Sequence, residues 1–334
     1  AMDDGTADVC ITEIGGTVGD IESQPFIEAI RQIGREAGRD NAAYIHVTLV
    51  PYLRASGEHK TKPTQHSVKE LQGLGVSPDI IVLRSDEPIE DRGVFRKTAC
   101  FCNVAEDCVI GNVTLPNLYE APLMLEEAGL ARAVCRRLGL EKPELDGWRA
   151  MVERMRAPRR SVRIGLVGKY VRLHDAYLSV AEALRHAAWA EGAEAEIAWI
   201  DAEELEKPEG AALLSGLDGI IVPGGFGCRG TEGMFAAARF ARERHVPYFG
   251  ICLGMQTAVI EFARDAAGLA GANSREFDPE SPHKVIDFMP GQSESVDKGG
   301  TLRLGACPCE IVPGTTLARC YGQDEVWERH RHRY

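Results

Sequence analysis

The stretch Gly250-Ile251-Cys252-Leu253-Gly254-Met255-Gln256 follows the apolar run Val246-Pro247-Tyr248-Phe249 and decides how the C-terminal half is read. A strand ending in Gly-x-Cys-x-Gly is the thiol form of the nucleophile elbow, a sharp strand-to-helix turn that crowds the positions two before and two after the nucleophile. The spacing predicts a helix over 255–267 whose N-terminus lies beneath the sulfur. Such a helix would stabilise a thiolate and turn free N–H groups toward an oxyanion. Cys252 is the strongest single candidate for chemistry.

Outward from the elbow the pattern repeats. Strands are expected at 162–168, 196–200 and 219–222, helices at 176–191 and 232–244, and the third strand runs into Pro223-Gly224-Gly225-Phe226-Gly227. Repeated strand–loop–helix units set these loops at the carboxyl ends of parallel strands, where open sheets hold ligands. With adjacent strands, an N–H of Gly224 or Gly225 and that of Leu253 converge on one oxyanion, each contributing ~3 kcal/mol in the transition state. That is the apparatus of acyl transfer through a thioester, and Gln256, one turn on, can contact a substrate amide. Small residues around a buried cysteine also arise from packing, and the glycine loop can hold a phosphate, although it lacks a Gly-Lys-Ser/Thr ending. A general base is not evident. His283 lies in a proline-flanked polar loop, and His330 and His332 alternate with Arg329, Arg331 and Arg333 in a run suited to anions or an interface.

The N-terminal half reads as another α/β layer. A buried strand is expected at 8–13, then the turn Gly15–Asp20, a helix over 24–38 and an apolar strand over 41–50. A polar, lysine-bearing loop over 51–64 leads to a helix over 65–73 with Ser67, Lys69 and Glu70 outward, and a short parallel strand covers 79–83. Asp20 and Glu22, with Glu13 near the same turn, are acids suited to Mg²⁺ or ribose. Lys60-Thr61-Lys62-Pro63-Thr64-Gln65 is either a phosphate site or a solvated surface loop. The segment 140–160 changes character and reads as a linker, so the expected domains are 1–140 and 161–334, joined by 141–160.

Composition narrows the classes. A chain of 334 residues, 44% hydrophobic, can bury two cores. Its net charge of −12 argues against a general nucleic-acid binder and leaves room for small anions held by local lysines. No apolar run approaches 18 residues and the N-terminus is not signal-like, so a soluble, cytoplasmic protein without membrane contact is expected. Ten cysteines are too dilute for a disulfide scaffold. Cys100/Cys102 and Cys307/Cys309 read as same-face strand pairs, buried and apolar rather than zinc ligands.

Three N-terminal stretches, Glu13–Glu22, Lys60–Glu70 and Phe101-Cys102-Asn103-Val104, resemble the synthetase domain of the CTP synthases. Gly165–Tyr170, Pro223–Gly227, Gly250–Gln256 and Glu328–Tyr334 are similar to their glutaminase domain. The resemblance runs in order through nearly the whole chain. It implies two three-layer α/β/α domains, an incomplete P-loop NTPase-like synthetase domain and a class I glutaminase domain. It implies the conversion of UTP, ATP and L-glutamine to CTP, with ammonia passing through an internal tunnel, GTP activating and CTP inhibiting by feedback. Carried onto this sequence, Cys252 is the nucleophile, and Gly224 or Gly225 with Leu253 supply the oxyanion donors. Gln256, Glu276 and Arg333 hold the amino-acid part of glutamine. Glu13 helps bind Mg²⁺ near the ATP phosphates, and Asp20, Ile21, Glu22, Lys60, Thr61, Lys62, Pro63, Thr64, Gln65 and Lys97 form the UTP/CTP site. A homotetramer built as a dimer of dimers is implied, with filaments as a further assembly.

The sequence departs from that family in several places. Its N-terminal P-loop and its later His-Pro-Glu segment are absent, so this chain is expected to be a fragment with impaired activity. Cys228 stands where relatives often have tyrosine, Ala1-Met2 reads as a cloning remnant, and 279–299 is expected to be a trimmed surface hairpin. Two other classes are a stand-alone class I amidotransferase with another acceptor and a non-catalytic filament subunit.

Overall fold

Parallel strands organise both halves of the chain, each around its own core. The computed structural model describes residues 7–293, 295 and 305–334, and the chain divides into units Ala1–Glu153 and Arg154–Tyr334.

In the first unit α1 (Gln24–Ala37) precedes β1 (Ile45–Leu49), and a small ribbon of β2 (Tyr52–Leu53) and β3 (Glu58–His59) leads to α2 (Lys62–Gly73). Then come β4 (Ile80–Ser85), α3 (Arg92–Cys102), β5 (Val109–Val113), α4 (Ala121–Glu127) and α5 (Leu130–Leu138), and α6 (Asp146–Arg156) carries the chain across the boundary at Glu153. The sheet order is β1-β4-β5, all parallel. The central strand β4 is apolar on both faces because both are covered. Ile81 and Leu83 pack with Val68 of α2 and Val94 of α3, and Ile80 and Val82 pack with Ala133 of α5. Edge strand β1 is reversed in polarity. His46 and Thr48 are buried, where Nε2 of His46 and Oγ of Ser67 share a hydrogen bond of 2.8 Å and Thr48 Oγ1 donates to Thr64 Oγ1 at 3.3 Å. Ile45, Val47 and Leu49 face outward, with Val47 56% exposed.

Several expectations are corrected here. Residues 8–13 form no strand and are exposed, because no described strand pairs with them and Val9 and Ile11 have no core to enter. Lys62–Thr64 belong to α2 and not to a loop, since Pro63 in a helix's first turn gives up an N–H that would have no partner there anyway. Ser67 turns half inward toward His46. Cys100 and Cys102 lie on α3, where a spacing of two puts them on different faces, one exposed and one buried.

The second unit runs β6 (Arg160–Gly168), α7 (Leu178–Ala190), β7 (Ala193–Asp201), β8 (Gly219–Val222), α8 (Thr231–Arg244), β9 (Tyr248–Gly250) and α9 (Leu253–Asp265). Short strands β10 (Asn273–Ser274) and β11 (Lys284–Ile286) pair in parallel. They are followed by β12 (Gly305–Glu310), α10 (Thr316–Tyr321) and β13 (Glu325–His330), and β12 and β13 pair antiparallel. The main sheet has the order β7-β6-β8-β9, all parallel. Val167, Ile220 and Val222 pack against Met234 and Ala237 of α8. On the other face Leu166 and Ile221 meet Tyr177 and, from α7, Val180 and Leu184. Because Val222 is in register with Gly250, the loops leaving β8 and β9 open side by side.

All ten cysteines are free thiols. Among the described residues no helix is long and apolar enough to cross a membrane. Ala1-Met2, and residues 294 and 296–299 of the expected hairpin, lie outside the described residues.

Candidate active site

The backbone at Cys252 is forced by its neighbours. Cys252 adopts φ 53° and ψ −108°, a region that costs a non-glycine residue on the order of 1–3 kcal/mol. A side-chain carbon on Gly254 would lie 1.9 Å from the carbonyl oxygen of Val222, and one on Gly250 would lie 2.4 Å from the carbonyl carbon of Gly254. Only glycine fits at either place. The turn is tied to the sheet by Ile251 N donating to Val222 O at 2.9 Å. The hydroxyls of Tyr248 and Thr257 both donate to Gly254 O, at 2.8 and 2.9 Å. Helix α9 starts at Leu253, two residues earlier than the spacing predicts.

The glycine loop lies against this elbow. A carbon added to Gly224 would sit 3.5 Å from Cys252 Cβ and 4.0 Å from its sulfur, and one on Gly225 would sit 3.2 Å from Leu253 Cδ2. Glu276 Oε1 accepts from Gly227 N at 3.0 Å. Lys169, directly after β6, is 5% exposed, and its ammonium donates to Phe226 O at 3.0 Å and to Gly227 O. Sequence reasoning did not single out Lys169. The available signal was a lysine set immediately after a strand with a buried end.

Burial pushes the Cys252 thiol above its ordinary value; the Leu253 N–H pulls it down and the Glu276 carboxylate pushes it up. The expected thiolate stabilisation by the helix start is present, but desolvation outweighs it. Among the described residues none of His283, His330 and His332 is hydrogen-bonded to Cys252. The Nδ1 atoms of His330 and His332 approach each other at 3.2 Å.

The C-terminal run seats itself on α9, with Gln256 Nε2 donating to Tyr334 O at 3.4 Å. Arg333 donates from Nη2 to Ser293 O at 2.5 Å and lies over the Phe288 ring at 5.2 Å. Its Nε is buried with no hydrogen-bond partner among the described residues, which is uncommon for a permanently charged donor.

In the first unit the basic residues converge while the acidic ones stand apart. Lys60 pairs with Glu58 at 2.5 Å. Hydrogen bonds from Lys60 and then Ser56 hold the Glu58 carboxyl below its ordinary value, and the charge of Lys97 adds to this. Lys62 lies 5.8 Å from the Phe101 ring, one turn from Lys97 on α3. Thr61, Thr64 and Gln65 are buried and brace the segment, with Gln65 Nε2 donating to Thr61 Oγ1 at 3.0 Å. The Gly15–Asp20 turn packs instead beside Glu70, eight residues along α2 from Lys62, roughly 12 Å away. Asp20 Oδ2 accepts from Thr17 N at 2.9 Å, and Ile21 and Glu22 are exposed. Glu13 is exposed, and no group of three His, Cys, Asp or Glu able to hold a metal occurs among the described residues. One carboxylate suits only an Mg²⁺ ion whose other ligands are phosphates and water.

Comparison with known proteins gives two family matches in chain order. Residues 1–140 match the family described as CTP synthase N-terminus, and residues 172–334 match glutamine amidotransferase class-I. The chain is 59% identical over 334 residues to the CTP synthase of Pelotomaculum thermopropionicum, covering 99% of this chain and 62% of that protein. It is 56% identical over 330 residues to the CTP synthase of Thermus thermophilus, covering 98% and 60%. A solved glutaminase domain of Trypanosoma brucei CTPS with bound acivicin is 45% identical, covers 52% of this chain and 67% of that one, and has a TM-score of 0.48. The chain thus spans about 60% of the length of these curated relatives.

Proposed function

This chain belongs to the CTP synthase family, and we infer from that membership that it serves the ATP-dependent amination of UTP with ammonia drawn from glutamine. The observation that carries the glutaminase half is the placement of Cys252 sulfur 4.0 Å from the position a Gly224 side chain would take. In this reading residues 161–334 are the glutaminase domain, 1–140 the synthetase part and 141–160 the link between them. Glu276 and Arg333 clamp the ammonium and carboxylate of the bound amino acid, the latter offering an acceptor to Arg333 Nε, which has none among the described residues. Gln256 lines the same pocket.

Cys252 sulfur attacks the carboxamide carbon. A C–S bond forms, and the carbonyl oxygen becomes an oxyanion between Leu253 N–H and an N–H of Gly224 or Gly225. The C–N bond then breaks as the nitrogen takes a proton and leaves as ammonia, and water hydrolyses the thioester to glutamate. Since burial holds the thiol protonated, a base must accept its proton, and the described histidines are not placed to do so. In the synthetase half, Lys60, Lys62 and Lys97 meet the triphosphate of UTP or of inhibitory CTP, braced by Thr61, Pro63, Thr64 and Gln65. Asp20, Ile21 and Glu22 make up the remainder of that site. Their distance from the lysines fits a site shared between subunits of a homotetramer, a dimer of dimers that can stack into filaments. Glu13 would hold Mg²⁺, which neutralises phosphate charge when bound. GTP is the activator. Ten free thiols suit a reducing cytoplasm.

In the enzyme carrying this chain, Cys252→Ala is expected to lower glutamine-dependent CTP formation at least a thousandfold and to leave formation from added ammonia within about twofold. No CTP from the unsubstituted enzyme with UTP, ATP, glutamine and GTP would refute the assignment.

A further inference from the structure

We infer that Lys169 is a positioning residue for the oxyanion loop, its buried ammonium holding the Phe226–Gly227 peptide so that Gly224 and Gly225 stay against Cys252. The inference rests on the glutaminase reading above and adds to it a residue that the nucleophile, donors and clamp leave out.

Three contacts tie Lys169 to three successive loop residues. Its Cδ would be 3.3 Å from a side-chain carbon on Gly225, and its ammonium donates to the carbonyls of Phe226 and Gly227. No described carboxylate forms an ion pair with it, so these carbonyls are its named partners for a buried charge. In a trans peptide the C=O and the following N–H point in opposite directions. Phe226 C=O points to Lys169, and Gly227 N–H points to Glu276 Oε1 at 3.0 Å. Rotating that peptide would turn the carbonyl toward the carboxylate and the N–H toward the ammonium, losing both attractions at once. The pair of opposite charges therefore fixes one orientation, and Gly227 at φ 73° supplies the turn that permits it.

Lys169 is itself held rigidly. Its N–H donates to the Tyr177 hydroxyl at 3.0 Å, and its carbonyl accepts from Arg229 Nη2 at 2.8 Å. Arg229 is anchored in turn by Glu203 at 2.9 Å. Burial draws the Lys169 amine below its ordinary value, and the Glu276 charge opposes that and favours the ammonium. Burial, Leu253 N–H and Glu276 set the direction of the Cys252 thiol shift, and the contacts of the Lys169 ammonium are with the loop.

Two labels separate action through the loop from action on the sulfur in the 334-residue chain. The chloroketone analogue of glutamine forms a C–S bond with Cys252 and releases chloride, its ketone oxygen passing through an oxyanion. Iodoacetamide forms the C–S bond and releases iodide with no oxyanion. Lys169→Met is expected to lower the maximal rate of chloroketone labelling tenfold or more, with half-saturation and the iodoacetamide rate each within twofold of the unsubstituted chain. Lys169→Arg, which keeps charge and donors, should recover the maximal rate to within threefold. If Lys169→Met does not fold, Lys169→Gln serves for the same measurement. An unchanged maximal rate overturns the inference, and so does an iodoacetamide rate that falls by the same factor. Absence of saturable chloroketone labelling in the unsubstituted chain would overturn the glutaminase reading first, and this inference with it.

Discussion

At Cys252 a single position combines a strained backbone with a half-buried thiol, and the two have separate causes. The strain comes from Gly250 and Gly254 pressing on their surroundings, so Gly254→Ala should cost about 2–3 kcal/mol in denaturant unfolding and slow labelling of Cys252. A variant as stable as the parent would mean the elbow relaxes freely. The raised pKa of the Cys252 thiol sets a pH dependence. Because the anion is the reactive form, iodoacetamide labelling should lag free cysteine at neutral pH and rise with a midpoint above it. A midpoint at or below that of free cysteine would show that the Leu253 N–H wins over burial. Cys252 and its flanking glycines were legible in sequence because the motif is contiguous over five residues, even though Gly254 is required by Val222 of β8. Lys169 was not legible, because its contacts exist only where the ends of β6 and β8 and Glu276, two residues beyond β10, meet.

Between elements, the clasp of α8 and α9 is the interaction most exposed to test. Glu261 has a side chain only 2% exposed, and it receives Arg242 Nη2 at 2.7 Å. Arg242→Ala would leave the buried Glu261 carboxylate with only the 4.0 Å approach of Arg239 Nε and should destabilise the second unit by about 3 kcal/mol, whereas Arg242→Leu with Glu261→Leu should recover most of that loss. Chemical denaturation of the single and double variants decides it, and additive losses would rule the pairing out. The apolar run at 219–222, covered on both faces, was read to the residue, and the strand expected at 79–83 was found at Ile80–Ser85. Elements whose burial depends on distant partners were not legible in this way. Residues 8–13 carry strand-like alternation with no described neighbour to pair with, and β1 hides its polar residues because Thr64 and Ser67 of α2 receive them.

At the scale of the molecule, the face of β1 carrying Ile45, Val47 and Leu49 is an exposed apolar strip and departs from an ordinary solvated surface. A dye that fluoresces on apolar surfaces should brighten on the folded chain, and Val47→Glu should reduce that signal while changing stability by no more than about 0.5 kcal/mol. An unaltered signal would place the dye elsewhere. The division into two units had a compositional signal, a chain long enough to bury two cores. The separation of Asp20 from Lys62 had none, because it is measured along a helix whose start the lysine loop concealed. The elbow has one more implication. Its shape is imposed by main-chain collisions with β8 that make no reference to sulfur, so the turn is a mount whose tool can be exchanged. A hydroxyl or a larger chalcogen installed there would inherit the same presentation, and reactivity could be re-engineered without redesigning the scaffold.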